Sequence, residues 1–121
     1  MARILIIEDD DLVRSMLKAT MEKEGHEVLE ADDGIKGTRL YREKPADLVI
    51  TDIVMPDKEG IETILELKRL SLGVKIIAIS GGGRISPETY LELAGKFGAA
   101  YTFVKPVDRK ELVAAVRDLL N

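Results

Sequence analysis

The chain contains no cysteine and no tryptophan, and its only aromatic residues are two Phe and three Tyr. Without cysteine, a disulfide framework and thiolate zinc sites are excluded, and a reducing cytoplasmic location is the expectation. No apolar run approaches the ~18 residues of a membrane span, so no membrane association is expected. The apolar start Met1–Ile7 is too short for a signal peptide, and acids follow it at once. There is also no basic excess: 18 Lys and Arg stand against 22 Asp and Glu. With so few rings to stack bases, direct nucleic-acid binding is not expected.

What is present suits one globular domain covering residues 1–121. The length is close to the commonest domain size, and roughly two thirds of the unfolded surface can be buried. The net charge of −4 is local. Glu8, Asp9, Asp10 and Asp11 stand side by side, and the remaining acids and bases balance at 18 each.

Five short apolar runs recur: Ile4–Ile7, Val28–Leu29, Leu48–Ile50, Val74–Ile79 and Tyr101–Val104. Several are continuous Ile, Val and Leu, as in strands buried on both faces. Helical patterns alternate with them. Leu12, Val13, Met16, Leu17 and Thr20 form a first stripe, and Gly34–Arg42 is a weaker second. Ile61, Ile64, Leu65 and Lys68 form a third. Tyr90, Leu93, Ala94 and Phe97 form a fourth, and Leu112, Val113, Val116, Leu119 and Leu120 a fifth. Ser86 before Pro87 reads as an N-cap, and Asp108 with Glu111 as a capping box.

Strand–helix alternation repeated five times predicts an α/β fold with a doubly wound, five-stranded parallel sheet of order 2-1-3-4-5. Ligands of such sheets bind beyond the C-terminal strand ends, beside the switch point. Those ends carry Glu8-Asp9-Asp10, Thr51-Asp52, Ser80-Gly81-Gly82-Gly83 and Lys105-Pro106. Crowded carboxylates repel by several kcal/mol at low effective dielectric, and a divalent cation with oxygen ligands relieves this. Mg²⁺ suits one or two carboxylates plus waters. A carboxylate beside Mg²⁺ and an ammonium is also placed to receive a phosphoryl group.

These pieces resemble the receiver domain of two-component response regulators. They are Ile4-Leu5-Ile6-Ile7-Glu8-Asp9-Asp10, Asp52-Ile53-Val54-Met55-Pro56-Asp57 with Gly60, Ile76-Ile77-Ala78-Ile79-Ser80-Gly81, Gly98-Ala99 and Lys105-Pro106. The resemblance spans essentially the whole chain and implies a flavodoxin-like fold. It implies that Asp52 accepts phosphate from a sensor histidine kinase or phosphotransfer protein. It further implies that Asp9 binds Mg²⁺ directly, Glu8 through water, and that Asp52 and the Val54 backbone carbonyl complete the protein ligands. Ser80 would hydrogen-bond the phosphoryl oxygen, Lys105 would pair with it, and the Lys105–Pro106 bond would be cis. The resemblance implies a signalling phosphoacceptor rather than a turnover enzyme. With nothing after Asn121, output is expected through a partner protein on the face of helix 4, strand 5 and helix 5.

Two departures from the family pattern stand out. Thr102 occupies the switch position, where the family usually has Tyr or Phe. Its neighbours Tyr101 and Phe103 point to the opposite face of a strand and do not simply substitute. Gly81-Gly82-Gly83 leaves no side chain two residues after Ser80, and Val54 is apolar. His26, the single histidine, reads as an exposed structural residue.

Three rival readings make different demands on the residues. A haloacid-dehalogenase-like phosphatase also uses an aspartate nucleophile, and Asp9-Asp10-Asp11-Leu12-Val13 mimics its signature. That family needs a further acid pair after its lysine, where this chain has Pro106-Val107. A flavin carrier would need a phosphate loop where four acids stand. A receiver-like interaction module that is never phosphorylated would not need the full set of Glu8, Asp9, Asp52, Ser80 and Lys105.

Overall fold

The computed structural model describes residues 1–53, 60–81, 92 and 94–121. Its strands are β1 (Arg3–Ile7), β2 (Glu27–Ala31), β3 (Leu48–Asp52), β4 (Lys75–Ser80) and β5 (Tyr101–Val104). They form one parallel sheet of order β2-β1-β3-β4-β5, the order expected from the alternation. The helices described in full are α1 (Asp11–Lys23), α2 (Gly34–Glu43), α3 (Gly60–Leu70) and the C-terminal helix (Arg109–Leu120).

The continuous apolar strands are explained by two cores. On one face Leu5, Ile7, Val49, Ile76 and Ala78 pack with Tyr41, Ile64, Leu67 and Ala94. On the other, Ile4, Ile6, Leu48, Ile50, Ile77 and Ile79 pack with Leu17, Met21, Leu112, Ala115 and Val116. Alternate residues of each strand serve opposite cores, so neither set can be polar.

The acid run divides as its position requires. Asp10 is the N-cap of α1, and its carboxylate accepts from Leu12 N at 2.9 Å and Val13 N at 3.1 Å. Asp11 lies in the first turn, where a negative charge suits the helix dipole. Asp108 caps the C-terminal helix, accepting from Glu111 N at 3.1 Å.

Some expectations change. Leu12 is 83% exposed, because the first turn of α1 runs past the core; the inward side is carried by Leu17 and Met21. In α3 the buried positions are Gly60, Thr63, Ile64 and Leu67, while Leu65 is exposed. His26 is half-buried, and its Nδ1 accepts from Ala2 N at 3.2 Å. In the fourth stripe Ala94 is buried and Phe97 exposed. Tyr90, Leu93, Ser86 and Pro87 lie outside the described residues.

One close approach fixes the exit from β3. Gly60 N donates to Ile53 O at 3.1 Å, and a Cβ on Gly60 would fall 2.1 Å from Ile53 Cα. Only glycine lets the start of α3 meet the end of β3 at that separation.

Candidate functional site

The site is assembled by parallel strands that all end on one side. Asp52, the last residue of β3, is in register with Ile79 of β4, and Ser80 is in register with Val104 of β5. Lys105 follows β5, and its backbone N donates to Ser80 O at 2.9 Å. Glu8 follows β1, its N donating to Ala31 O at 3.0 Å. The Lys105–Pro106 peptide is cis, as the resemblance implied.

Four sequence-predicted groups meet here. Glu8, Asp9 and Asp52 each present a carboxylate oxygen within 4.8 Å of the other two. Lys105 Nζ donates to Asp52 Oδ2 at 3.0 Å and lies 2.7 Å from Glu8 Oε1, an ion pair without hydrogen-bond angles. Glu8 is fully buried, Asp52 nearly so, and Asp9 is exposed. Ser80 is also fully buried, and its Oγ has no hydrogen-bond partner among the described residues. A buried, unpaired hydroxyl is uncommon and calls for a role. The Val54 carbonyl lies outside the described residues.

Burial pushes the Glu8 carboxyl up to about 7, with the nearby Asp52 adding to the rise and Lys105 opposing it. Burial depresses the Lys105 ammonium, but Glu8 and Asp52 more than offset this and hold it above its ordinary value. Among the described residues, Lys105 pairs with two of the three clustered carboxylates, Glu8 and Asp52. Excess negative charge on oxygen donors, with one carboxylate open to solvent, fits Mg²⁺.

Thr102 is exposed, while Tyr101 and Phe103 pack on the opposite face, beside the C-terminal helix. Their rings stack with centroids 6.5 Å apart and planes 11° apart. Tyr101 Oη donates to Asp118 Oδ2 at 2.6 Å. The Asp118 bond holds the phenol pKa above its ordinary value.

A residue not singled out from sequence also reaches the site. Arg14 Nη1 donates to Glu8 O at 2.9 Å, and Nη2 to Asp11 Oδ1 at 2.6 Å. A signal for it exists: Arg14, Leu17 and Met21 fall at i, i+3 and i+7, which places a cation on the inward stripe of α1.

Comparison with known proteins agrees with the fold. Residues 4–117 match the family model described as the response regulator receiver domain. The chain is 32% identical over 119 residues to the chemotaxis protein CheY of Halobacterium salinarum, covering 98% of this chain and 97% of that protein. It is 34% identical over 120 residues to CheY of Bacillus subtilis, covering 98% of each. It also matches BvgA of Bordetella pertussis at 33% identity, where it spans only 56% of that transcription regulator. Among solved structures, a response regulator receiver domain protein from Clostridium thermocellum superposes with a TM-score of 0.91 at 32% identity, covering all of this chain and 95% of the other.

Proposed function

This chain belongs to the response regulator receiver family, and from that membership we propose that Asp52 is its phosphoacceptor and that Glu8 and Asp9 hold the Mg²⁺. The observation that carries the reading is Lys105 Nζ set between Asp52 and Glu8 at 3.0 and 2.7 Å, inside a cluster of three carboxylates. Receiver domains interact with histidine kinases or phosphotransfer proteins, and such a partner is the proposed donor. Asp52 Oδ attacks the phosphorus of a phosphohistidine, the P–N bond breaks, and the imidazole leaves with the bonding electrons. Lys105 orients the Asp52 carboxylate beforehand and pairs with the transferred phosphoryl oxygens. Mg²⁺ held by Glu8 and Asp9 would supply further positive charge there. Ser80 Oγ, buried beside Asp52 at the end of the neighbouring strand, donates to a phosphoryl oxygen once one is present.

The same chemistry supports Asp52 over the Asp9–Asp11 run as nucleophile. Asp10 is committed to capping α1 and Asp11 to Arg14. Output runs through the surface formed by the predicted fourth helix, β5 and the C-terminal helix. Thr102 there lacks the ring usual in the family, and the stacked Tyr101 and Phe103 face the other way. Proposed localisation is cytoplasmic, where kinase partners present their phosphohistidine.

The test is labelling with Mg²⁺ and a small phosphodonor such as phosphoramidate, read by intact mass. Wild type should gain one phosphoryl group and Asp52→Ala none. Equal labelling of the two would overturn the assignment.

A further inference from the structure

We propose that Arg14 is a positioning residue for the cation site, holding the Glu8–Asp9 peptide in the orientation that presents Asp9. The inference rests on reading Glu8 and Asp9 as Mg²⁺ ligands. β1 ends at Ile7, so the Glu8 carbonyl lies beyond the sheet ladder, and Arg14 Nη1 takes it at 2.9 Å. A peptide group is planar, so fixing that carbonyl fixes the plane from which Asp9 departs. Asp9 is exposed, and its carboxylate oxygen lies within 4.8 Å of those of Glu8 and Asp52. On the far side, Asp10 N donates to Glu8 Oε2 at 3.1 Å, and Asp10 itself caps α1.

Arg14 is itself held. Its Nη2 contacts Asp11 at 2.6 Å and its Nε lies 3.4 Å from Glu30 Oε1 at the edge strand β2. Lys18 Nζ pairs with the other Glu30 oxygen at 3.1 Å and keeps that carboxylate in place. Three different nitrogens serve three different residues, and the side chain is only 18% exposed. Such a set needs the rigid guanidinium fork, which a single ammonium cannot reproduce.

The sign of the effect separates this role from its rivals. If Arg14 acted only by charge, removing a cation near a cation site would tighten Mg²⁺ binding. If it served only the fold, stability would fall and Mg²⁺ affinity would stay. Positioning requires weaker Mg²⁺ binding, by about tenfold or more on the scale of residues that orient metal ligands.

The experiment is a Mg²⁺ titration of the full chain followed by amide NMR shifts of the β1–α1 turn. Wild type, Arg14→Met, Arg14→Lys, Glu30→Gln and Asp9→Asn are compared, with urea midpoints measured in EDTA. Arg14→Met and Arg14→Lys should both weaken binding about tenfold or more, and Glu30→Gln should weaken it by a smaller factor. Unchanged or tighter binding in Arg14→Met overturns the inference, as does full rescue by Arg14→Lys. Should Arg14→Met fail to fold, Glu30→Gln decides, and unchanged affinity there overturns it. Wild type that does not saturate, or Asp9→Asn that binds equally well, overturns the cation site itself and the inference with it.

Discussion

Gly81 lies against the stem of Lys105 so closely that a Cβ on it would fall 2.6 Å from Lys105 Cβ and 2.8 Å from its Cδ. The first contact is with an atom bonded to the backbone, so the lysine cannot simply swing its tip away. Gly81→Ala should therefore shift Lys105 from Asp52 and cost about 1–3 kcal/mol of stability. Labelling by a phosphodonor should slow roughly 10- to 100-fold, the usual penalty for misplacing a reacting group. Wild-type labelling rates in Gly81→Ala would show that the contact has no bearing on the site.

The crowded carboxylates imply a trade between stability and activity. At pH 8 in EDTA, Asp52→Asn removes one charge from the cluster while Lys105 keeps Glu8 as a partner. Unfolding by urea, followed by circular dichroism, should show a gain of roughly 0.5–2 kcal/mol over wild type. Saturating Mg²⁺ should shrink the gap, because the ion relieves the same repulsion in wild type. Destabilisation of Asp52→Asn in EDTA would contradict the account.

Glu8 sets a pH dependence with a definite sign. Its folded pKa of about 7 stands above its ordinary 4.5, so the folded chain holds that proton more tightly than the unfolded one. Stability from this group is therefore fully present below about 4.5 and is lost as pH rises toward about 7. The slope contributed by one proton is at most about 1.4 kcal/mol per pH unit. Urea midpoints in EDTA from pH 5 to 8, wild type minus Glu8→Gln, isolate it. A difference that stays flat, or rises with pH, refutes the assignment.

Tyr101 joins β5 to the C-terminal helix through Asp118 at 2.6 Å. Tyr101→Phe keeps the stacking on Phe103 and loses only this solvent-exposed bond, so the urea midpoint should fall slightly. A double-mutant cycle with Asp118→Ala, which removes the acceptor, should recover a favourable coupling. Additive effects would mean that the bond contributes nothing in solution.

Strand positions and the residues at their ends were readable because buried parallel strands leave an unbroken apolar signature. That is why Glu8, Asp52, Ser80 and Lys105 come together as their spacing implied. Helix faces were less readable. Leu12 fits the periodicity of α1 but sits in a first turn with nothing above it, and periodicity carries no information on where a core ends. In α3 the inward side includes Gly60 and Thr63, which an apolar pattern passes over. Arg14 was legible only as a cation on the inward stripe of α1; its pairing with Glu30 of β2 is a tertiary relation that no local window contains.

The meeting of Gly60 with Ile53 ties Asp52 to a helix. Gly60 N on Ile53 O at 3.1 Å joins the first residue of α3 to the residue that follows Asp52. A Cβ on Gly60 would also fall 2.6 Å from Asp52 O, so the helix start bears on the Asp52 peptide itself. The joint therefore works as a rigid coupling: a displacement of α3 reaches the backbone that carries Asp52 without passing through any side chain.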